Sequence, residues 1–175
     1  MNNFLPILFL RVPRQMEDGG IRLRLLRISD GSVINSGLRD GDILRSAGLA
    51  EPISKSWISL WWWLKKTYIL PYCIEAGSEL IGFIGLHKLS REGSTEISLA
   101  IFDKKNRRRG YGTKAFNLLT QNLKRCPPEI RVKVRIDNQA AVSFWSRLGF
   151  KELGSLEDMK LMSMHLGGDT RKRSA

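Results

Sequence analysis

One stretch of seven residues, 107–113, has the composition of an anion-binding site. It reads Arg-Arg-Arg-Gly-Tyr-Gly-Thr, and apolar residues at helical spacing follow it directly. Glycine allows positive φ angles and a close approach of a ligand to the backbone. Free N–H groups in the first turn of a helix attract anions, and the helix dipole adds to that attraction. The stretch therefore predicts a ligand that carries phosphate.

The charge of the chain is concentrated around this stretch. The 175 residues carry a net charge of +12, and residues 101–150 hold twelve Lys/Arg against three Asp/Glu. A local excess favours a small polyanionic ligand over uniform attraction to nucleic acid or to a membrane. We therefore expect neither nucleic acid nor a membrane as partner, although RNA stays an alternative for the basic segment.

The cysteines and histidines do not suggest a metal site. Cys73 and Cys126 form no CxxC pair, and the chain has two histidines, so we expect no metal. Reduced thiols predict a cytoplasmic location. The apolar run 4–10 is too short to cross a bilayer, and no cation precedes it as in a signal peptide.

The length predicts one domain with its own core. We expect that domain to span residues 1–166, with residues 1–20 as an N-terminal extension or strand. A basic flexible tail follows at 167–175.

Hydrophobic periodicity predicts a mixed α/β sheet. After short helical pieces within 32–70, three antiparallel strands lead into the glycine loop. A helix then crosses between two strands that we expect to be parallel neighbours. The predicted strands are 21–28, 72–75, 80–86, 95–102, 130–136 and 159–166, and the main helices are 113–124 and 139–148.

Two nucleotide-binding motifs compete for the glycine loop. Gly110, Gly112 and Ala115 satisfy G-x-G-x-x-G/A, a weak dinucleotide fingerprint. A Rossmann domain needs further βα units after that loop, and too little chain remains for them. The P-loop pattern G-x-x-x-x-G-K-[ST] is absent.

A third interpretation fits the neighbouring residues. The loop reads Arg107-x-x-Gly110-x-Gly112, and residues 138–150 match the pattern N-x-x-A-x-x-x-Y-x-x-x-G-F except at the tyrosine. Together these two motifs resemble those of the GNAT (N-acetyltransferase) superfamily, and the likeness extends over about residues 21–166. The meander from Tyr72 to Phe102 is similar to that of the branch related to ribosomal-protein N-terminal acetyltransferases.

The resemblance implies a GNAT-like fold, in which an antiparallel meander and one parallel crossover leave the central strands splayed. It also implies acetyl-CoA as co-substrate and transfer of its acetyl group to a primary amine in a ternary complex. The backbone of residues 100–102 would pair with pantetheine, and that of residues 108–113 would cradle the pyrophosphate. The cofactor-binding residues that the resemblance implies are Ala100, Ile101, Phe102, Arg107, Arg108, Arg109, Gly110, Tyr111, Gly112, Thr113 and Asn138.

Transfer to an amine requires a group that accepts a proton, because an ammonium has no lone pair. Glu96 is the candidate base, on the strand that leads to the loop. An N–H of that strand near Leu99 or Ala100 would stabilise the oxyanion. The general acid is unassigned, because Trp145 stands where the family often has tyrosine, and an indole only donates a hydrogen bond. Three other tyrosines are substitutes: Tyr68, Tyr72 and Tyr111.

Two other functions stay open. One is an acyl-CoA-binding protein of the same fold without catalysis, and the other is an RNA- or ribosome-associated binding module. The acceptor is not identified: a protein N-terminus, an amino sugar, a polyamine or an antibiotic would fit. The oligomeric state is also open, and a homodimer is one alternative. Trp61–Trp63 belongs either to the core or to the acceptor pocket. The strand face of Arg131, Lys133 and Arg135 is either solvated or in contact with an anionic group.

Overall fold

A computed structural model describes residues 13–37, 69–90, 92–123 and 127–166. Several predictions lie outside these ranges: those for residues 4–10, for Tyr68, for the Trp61–Trp63 cluster, for Cys126 and for the tail. Within the described ranges, no helix is long and apolar enough to cross a membrane. The limits of the domain remain a prediction.

The described chain forms a single mixed sheet with helices packed against it. The sheet has eight strands in the order β1-β2-β3-β4-β5-β6-β8-β7. The strands are β1 Gln15–Asp18, β2 Ile21–Leu25, β3 Ile69–Ala76, β4 Glu79–His87, β5 Ser94–Ile101, β6 Glu129–Arg135, β7 Lys151–Leu156 and β8 Met159–His165. The described helices are α1 Gly31–Gly37, α2 Tyr111–Gln121 and α3 Gln139–Arg147.

The β1–β2 hairpin was not predicted, although the sequence contains a signal for it. Gly19 and Gly20 connect the two strands and have φ angles of 58° and 82°. A two-residue turn with positive φ at both positions favours a tight hairpin. The predicted extension of β2 to residue 28 is wrong, because Asp30 accepts a hydrogen bond from the Arg27 N–H at 2.7 Å and turns the chain into α1.

The meander of β3, β4 and β5 confirms the three predicted antiparallel strands; β3 and β4 are longer than predicted, and β5 starts and ends one residue earlier. The helix predicted from residue 113 starts two residues earlier, at Tyr111, because Gly110 adopts a left-handed conformation and caps it. Strand β7 was missed because all six of its residues are exposed, so it shows no alternation of apolar and polar positions.

The central strands splay apart, as predicted. β5 and β6 are the parallel pair, and their register covers three residues of each strand, ending with Glu96 opposite Arg131. On one face of the sheet, α2 and α3 meet through edge-to-face contacts of Phe116 with Trp145 and Phe150. On the opposite face, α1 packs so closely that an ideal Cβ on Gly37 would lie 2.3 Å from the Phe102 ring.

Candidate active site

The site is built around the gap that opens between β5 and β6 beyond Glu96. On the other side of β5, the Phe102 N–H donates to the Ile81 carbonyl at 2.9 Å. Backbone groups of successive strand residues point to alternate sides. The main-chain groups of Leu99 and Ile101 therefore point away from β4, into the gap, whereas those of Ala100 and the Phe102 N–H point toward β4.

Arg107 ties the glycine loop to the end of β5. Its Nε donates to the Ile101 carbonyl at 2.9 Å, and its Nη2 donates to the Phe102 carbonyl at 3.0 Å. These bonds direct the guanidinium to the backbone of the strand. Arg107 therefore fixes the position of the loop, a role that its place in the motif did not reveal.

The loop and the start of α2 form an anion cradle. Arg108 and Gly110 both have positive φ angles, 61° and 82°. No side chain caps α2, and its first backbone bond runs from the Lys114 N–H to the Gly110 carbonyl at 3.0 Å. The N–H groups of residues 111–113 therefore have no partner within the helix, which suits them to an anion.

Two arginines of the predicted set are exposed beside this cradle, Arg108 and Arg109. The Arg109 guanidinium lies 5.7 Å from the centre of the half-buried Tyr111 ring. An ideal Cβ on Gly110 would meet no atom within 4 Å, so the reason for a glycine here is its positive φ angle. The space above the backbone is open. Thr113 is exposed at the same end of the helix.

Gly112 allows close packing within the protein. An ideal Cβ at this position would lie 3.2 Å from Phe144 Cε2 and 3.4 Å from Leu99 Cδ2. The missing side chain lets the start of α2 approach both α3 and β5. The second glycine of the motif thereby brings the cradle close to the gap.

Asn138 starts α3. Its Oδ1 accepts a hydrogen bond from the Ala141 N–H at 3.1 Å, so Asn138 is the N-cap of this helix. An N-cap asparagine satisfies one of the free N–H groups of the first turn. The cap places Asn138 just after β6, on the side of the gap opposite β5.

Glu96 lies in a group of cations where β5 and β6 separate. The Lys88 Nζ is 3.0 Å from Oε2, and the Lys133 Nζ is 3.5 Å from Oε1. Burial raises the pKa of Glu96, but the hydrogen bond from Lys88 and the surrounding positive charges outweigh burial, so the pKa lies below its usual value. Glu96 is therefore ionised at neutral pH and strongly paired.

His87 joins Glu96 to Ser98. The His87 Nε2 is 2.9 Å from the Ser98 Oγ, and its Nδ1 is 3.8 Å from the Glu96 Oε2. His87 is the last residue of β4. The arrangement depends on the β4–β5 register, which places His87 opposite Glu96, and the sequence does not reveal that register.

The basic face of β6 is paired with carboxylates. The Arg131 Nη2 is 2.6 Å from Glu129, and the Arg135 guanidinium is 2.7 Å from Asp137 and 2.6 Å from Asp158. Lys133, between them, reaches across to Glu96. These ion pairs reduce the charge that the face presents to an anionic ligand.

The aromatic candidates for a general acid lie in different surroundings. Trp145 is buried in the core, where its ring packs against Phe116, Phe144 and Phe150. Tyr72 is fully buried, its hydroxyl donates to the Pro13 carbonyl, and burial raises its pKa. Tyr111, at the start of α2, is the remaining described candidate. Among the described residues, no cluster of His, Cys, Asp and Glu is arranged to hold a metal ion.

A sheet that opens at its one parallel pair, with an uncapped helix start at the opening, is the arrangement expected of an acyltransferase that uses an acyl-CoA. The model of the acetyltransferase (GNAT) family matches residues 42–150, more than half of the chain. The chain therefore belongs to the GNAT family and is an acetyl-CoA-dependent N-acetyltransferase. No curated protein matches the sequence.

Solved structures share the fold at low identity. Spermidine N-acetyltransferase from Vibrio cholerae, in complex with CoA and spermine, superposes with a TM-score of 0.73 at 20% identity, over 85% of this chain and 96% of that one. The microcin C7 self-immunity acetyltransferase MccE, in complex with acetyl-CoA and AMP, gives 0.69 at 15% identity, over 85% and 94%. A probable GNAT acetyltransferase from Chromobacterium violaceum gives 0.72 at 18% identity, over 87% and 86%.

Proposed function

We propose that the gap between β5 and β6 holds acetyl-CoA while a primary amine attacks its thioester directly, so that both substrates are bound at once. The observation that carries this proposal is the coincidence of the gap with the uncapped start of α2. The gap supplies strand-edge amides, and the start of α2 supplies an anion cradle at the same opening.

On the donor side, the main-chain groups of Leu99 and the Ile101 N–H would bond pantetheine within the gap, since the Ile101 carbonyl already accepts from Arg107. This refines the expectation for residues 100–102, because the main-chain groups of Ala100 and the Phe102 N–H point toward β4, and the Phe102 carbonyl accepts from Arg107. The N–H groups of residues 108–113 would hold the pyrophosphate, with charge from Arg108 and Arg109. Asn138 would contact pantetheine from the opposite side.

On the acceptor side, the amine would bind at the sheet face that carries Glu96, Ser98 and Ala100. These three side chains share a face because they alternate along β5. Glu96 is the carboxylate of this face closest to the gap, and it belongs to the group that removes the proton of the amine. The Leu99 N–H, which points into the gap, is placed to stabilise the oxyanion.

The charges near Glu96 bear on the class of acceptor. In the described part of this face, Lys88 and Lys133 both contact the single carboxylate of Glu96, and Arg131, opposite Glu96, is paired with Glu129. A polycation would be repelled there. We therefore propose a primary amine of low positive charge, such as an amino sugar or a protein N-terminus, rather than a polyamine.

A thiol-release assay tests the proposal. Acetyl-CoA is offered with a tetrapeptide that has a free amino terminus, with glucosamine, with an aminoglycoside and with spermidine, and mass spectrometry identifies the acetylated product. We expect the tetrapeptide or glucosamine to be acetylated faster than spermidine. Spermidine as the best acceptor would contradict the proposed class.

The same assay separates the two alternative functions. A silent acyl-CoA-binding protein would bind CoA in calorimetry without releasing thiol from any amine. An RNA-binding module would not bind CoA, and its affinity for RNA would fall steeply with salt. A homodimer and a cytoplasmic location stay predictions, which sedimentation analysis and fractionation of cells would test.

A further inference from the structure

We propose that the acceptor's proton leaves through Ser98 to His87, with Glu96 positioning the imidazole. This inference rests on the proposed function and names the groups that carry the proton. It assigns chemistry to two residues, His87 and Ser98, that the glycine loop and its companion motif do not contain.

The geometry is that of a short relay on one face of the sheet. The Ser98 Oγ lies 2.9 Å from the His87 Nε2, within hydrogen-bond distance, and the His87 Nδ1 lies 3.8 Å from the Glu96 Oε2. All three side chains are partly buried. Ser98 is the member nearest to Leu99, whose main chain faces the gap, so the relay ends beside the place proposed for the thioester.

The electrostatics explain why Glu96 is not the direct base. Its pKa is lowered, and Lys88 and Lys133 hold both of its oxygens. A carboxylate held in this way is a weak proton acceptor. An imidazole is closer to the ideal, because its ordinary pKa lies near neutral pH. The charged groups around the His87–Glu96 pair are Lys88 and Lys133, which contact Glu96, and Arg131, which lies opposite Glu96 on β6.

The proposed step conserves atoms and charge. The amine nitrogen attacks the thioester carbonyl, the C–N bond forms, and the C–S bond breaks with its electron pair leaving on the CoA thiolate. The amine N–H proton passes to the Ser98 Oγ as the Ser98 hydroxyl proton passes to the His87 Nε2. The imidazolium faces the Glu96 carboxylate and later yields its proton to water.

The chain offers a matched control, because it contains two histidines. His165 is exposed at the end of β8, outside the relay. The test compares His87→Gln with His165→Gln in the thiol-release assay, on the best amine of the panel, between pH 5.5 and 9. We expect His87→Gln to lower kcat about 100-fold, with the KM for acetyl-CoA within about twofold, while His165→Gln stays near the unmutated protein.

The pH profile separates a relay from a merely structural role. In the unmutated protein kcat should fall at low pH as His87 becomes protonated, and this fall should disappear in His87→Gln. Ser98→Ala should also lower kcat, and Ser98→Thr, which keeps the hydroxyl, should restore most of it. Imidazole NMR of His165→Gln reports the titration of His87 alone, which should coincide with the fall in kcat.

The outcomes are distinguishable. If the unmutated protein acetylates no amine, the proposed function fails and the relay fails with it. If it acetylates an amine and His87→Gln keeps the same fall in kcat at low pH, the relay fails and the proposed function stands. If His87→Gln does not fold, as circular dichroism would show, Ser98→Ala and the NMR titration decide: unchanged kcat in Ser98→Ala would overturn the relay.

Discussion

Gly112 lies against Phe144, so closely that an ideal Cβ on the glycine would be 3.2 Å from the Cε2 of the ring. The two residues stand on different helices, and their contact holds the start of α2 beside α3. The anion cradle is the first turn of α2. Its distance from the gap therefore depends on a glycine whose missing side chain faces the protein interior.

We predict that Gly112→Val destabilises the protein by about 1–3 kcal/mol, the usual cost of overpacking. It should also weaken binding of acetyl-CoA, because the start of α2 must move away from the gap. Chemical denaturation and calorimetry measure the two effects.

Removing part of the ring provides the control for this prediction. In Gly112→Ala/Phe144→Leu, the smaller side chain at position 144 makes room for the methyl group. We expect the double variant to lose less stability than the sum of the losses in Gly112→Ala and Phe144→Leu. A double-mutant cycle measures this coupling. Simple additivity would argue against packing as the reason for the glycine.

Arg108 allows the charge of the loop to be separated from its backbone shape. Its φ of 61° suits glycine, so Arg108→Gly removes the cation and relieves a left-handed strain of about 1 kcal/mol. We predict weaker binding of acetyl-CoA and a smaller dependence of that binding on salt, without a loss of thermal stability.

Glu157 is the matched control for Arg108. It has a φ of 54° in the exposed turn between β7 and β8, which is not part of the glycine loop. Glu157→Gly should give the same relief of strain and leave the affinity for acetyl-CoA unchanged. Equal affinities of Arg108→Gly and the unmutated protein would remove Arg108 from the cradle.

Asn138 combines a helix cap with a proposed contact to the donor. Asn138→Asp keeps an oxygen that accepts from the Ala141 N–H but loses the amide donor. We predict that it keeps the stability and weakens acetyl-CoA binding, whereas Asn138→Ala also loses about 1 kcal/mol of stability. Calorimetry on both variants, together with denaturation, checks this. If Asn138→Asp binds acetyl-CoA as tightly as the unmutated protein does, capping the helix is the only role of Asn138.

Asp30 forms a nearly buried ion pair with Arg24. The Asp30 oxygens are 2.7 and 2.9 Å from the guanidinium, and the hydrogen bonds from Arg24 lower the pKa of Asp30 although burial raises it. We predict that Asp30→Asn costs about 3 kcal/mol at pH 7. Glu17→Gln removes the exposed partner of Arg22 on the neighbouring strand and should cost less than about 1 kcal/mol.

The pH dependence of this effect has a definite sign. A carboxyl whose pKa is lowered by folding stabilises the folded state above its unfolded pKa and loses that contribution as pH falls through the folded value. The difference in stability between Asp30→Asn and the unmutated protein should therefore be full at pH 7 and shrink below about pH 4. A constant difference from pH 7 to pH 3 would contradict the assigned ion pair.

The elements that bury one face were predictable, and those without such a face were not. The strands of the meander and both long helices have apolar residues at a regular period, because one side of each packs on the core. Strand β7 is exposed at every residue and left no pattern. The end of β2 also escaped prediction, because it depends on the Asp30 carboxylate that folds the chain into α1.

The sequence by itself determined the local elements that we propose for the donor site, because each of them is encoded over a short stretch. A glycine with positive φ, a helix that follows at once and an asparagine that caps the next helix are each encoded within a few neighbouring residues. Only the tertiary structure decided which side chains meet across strands. The contact of His87 with Ser98 and Glu96 depends on the register of β4 and β5. The Arg107 side chain, which the sequence offered as a phosphate contact, instead bonds the backbone at the end of β5. Such contacts form between residues that packing brings together, and no local spacing encodes them.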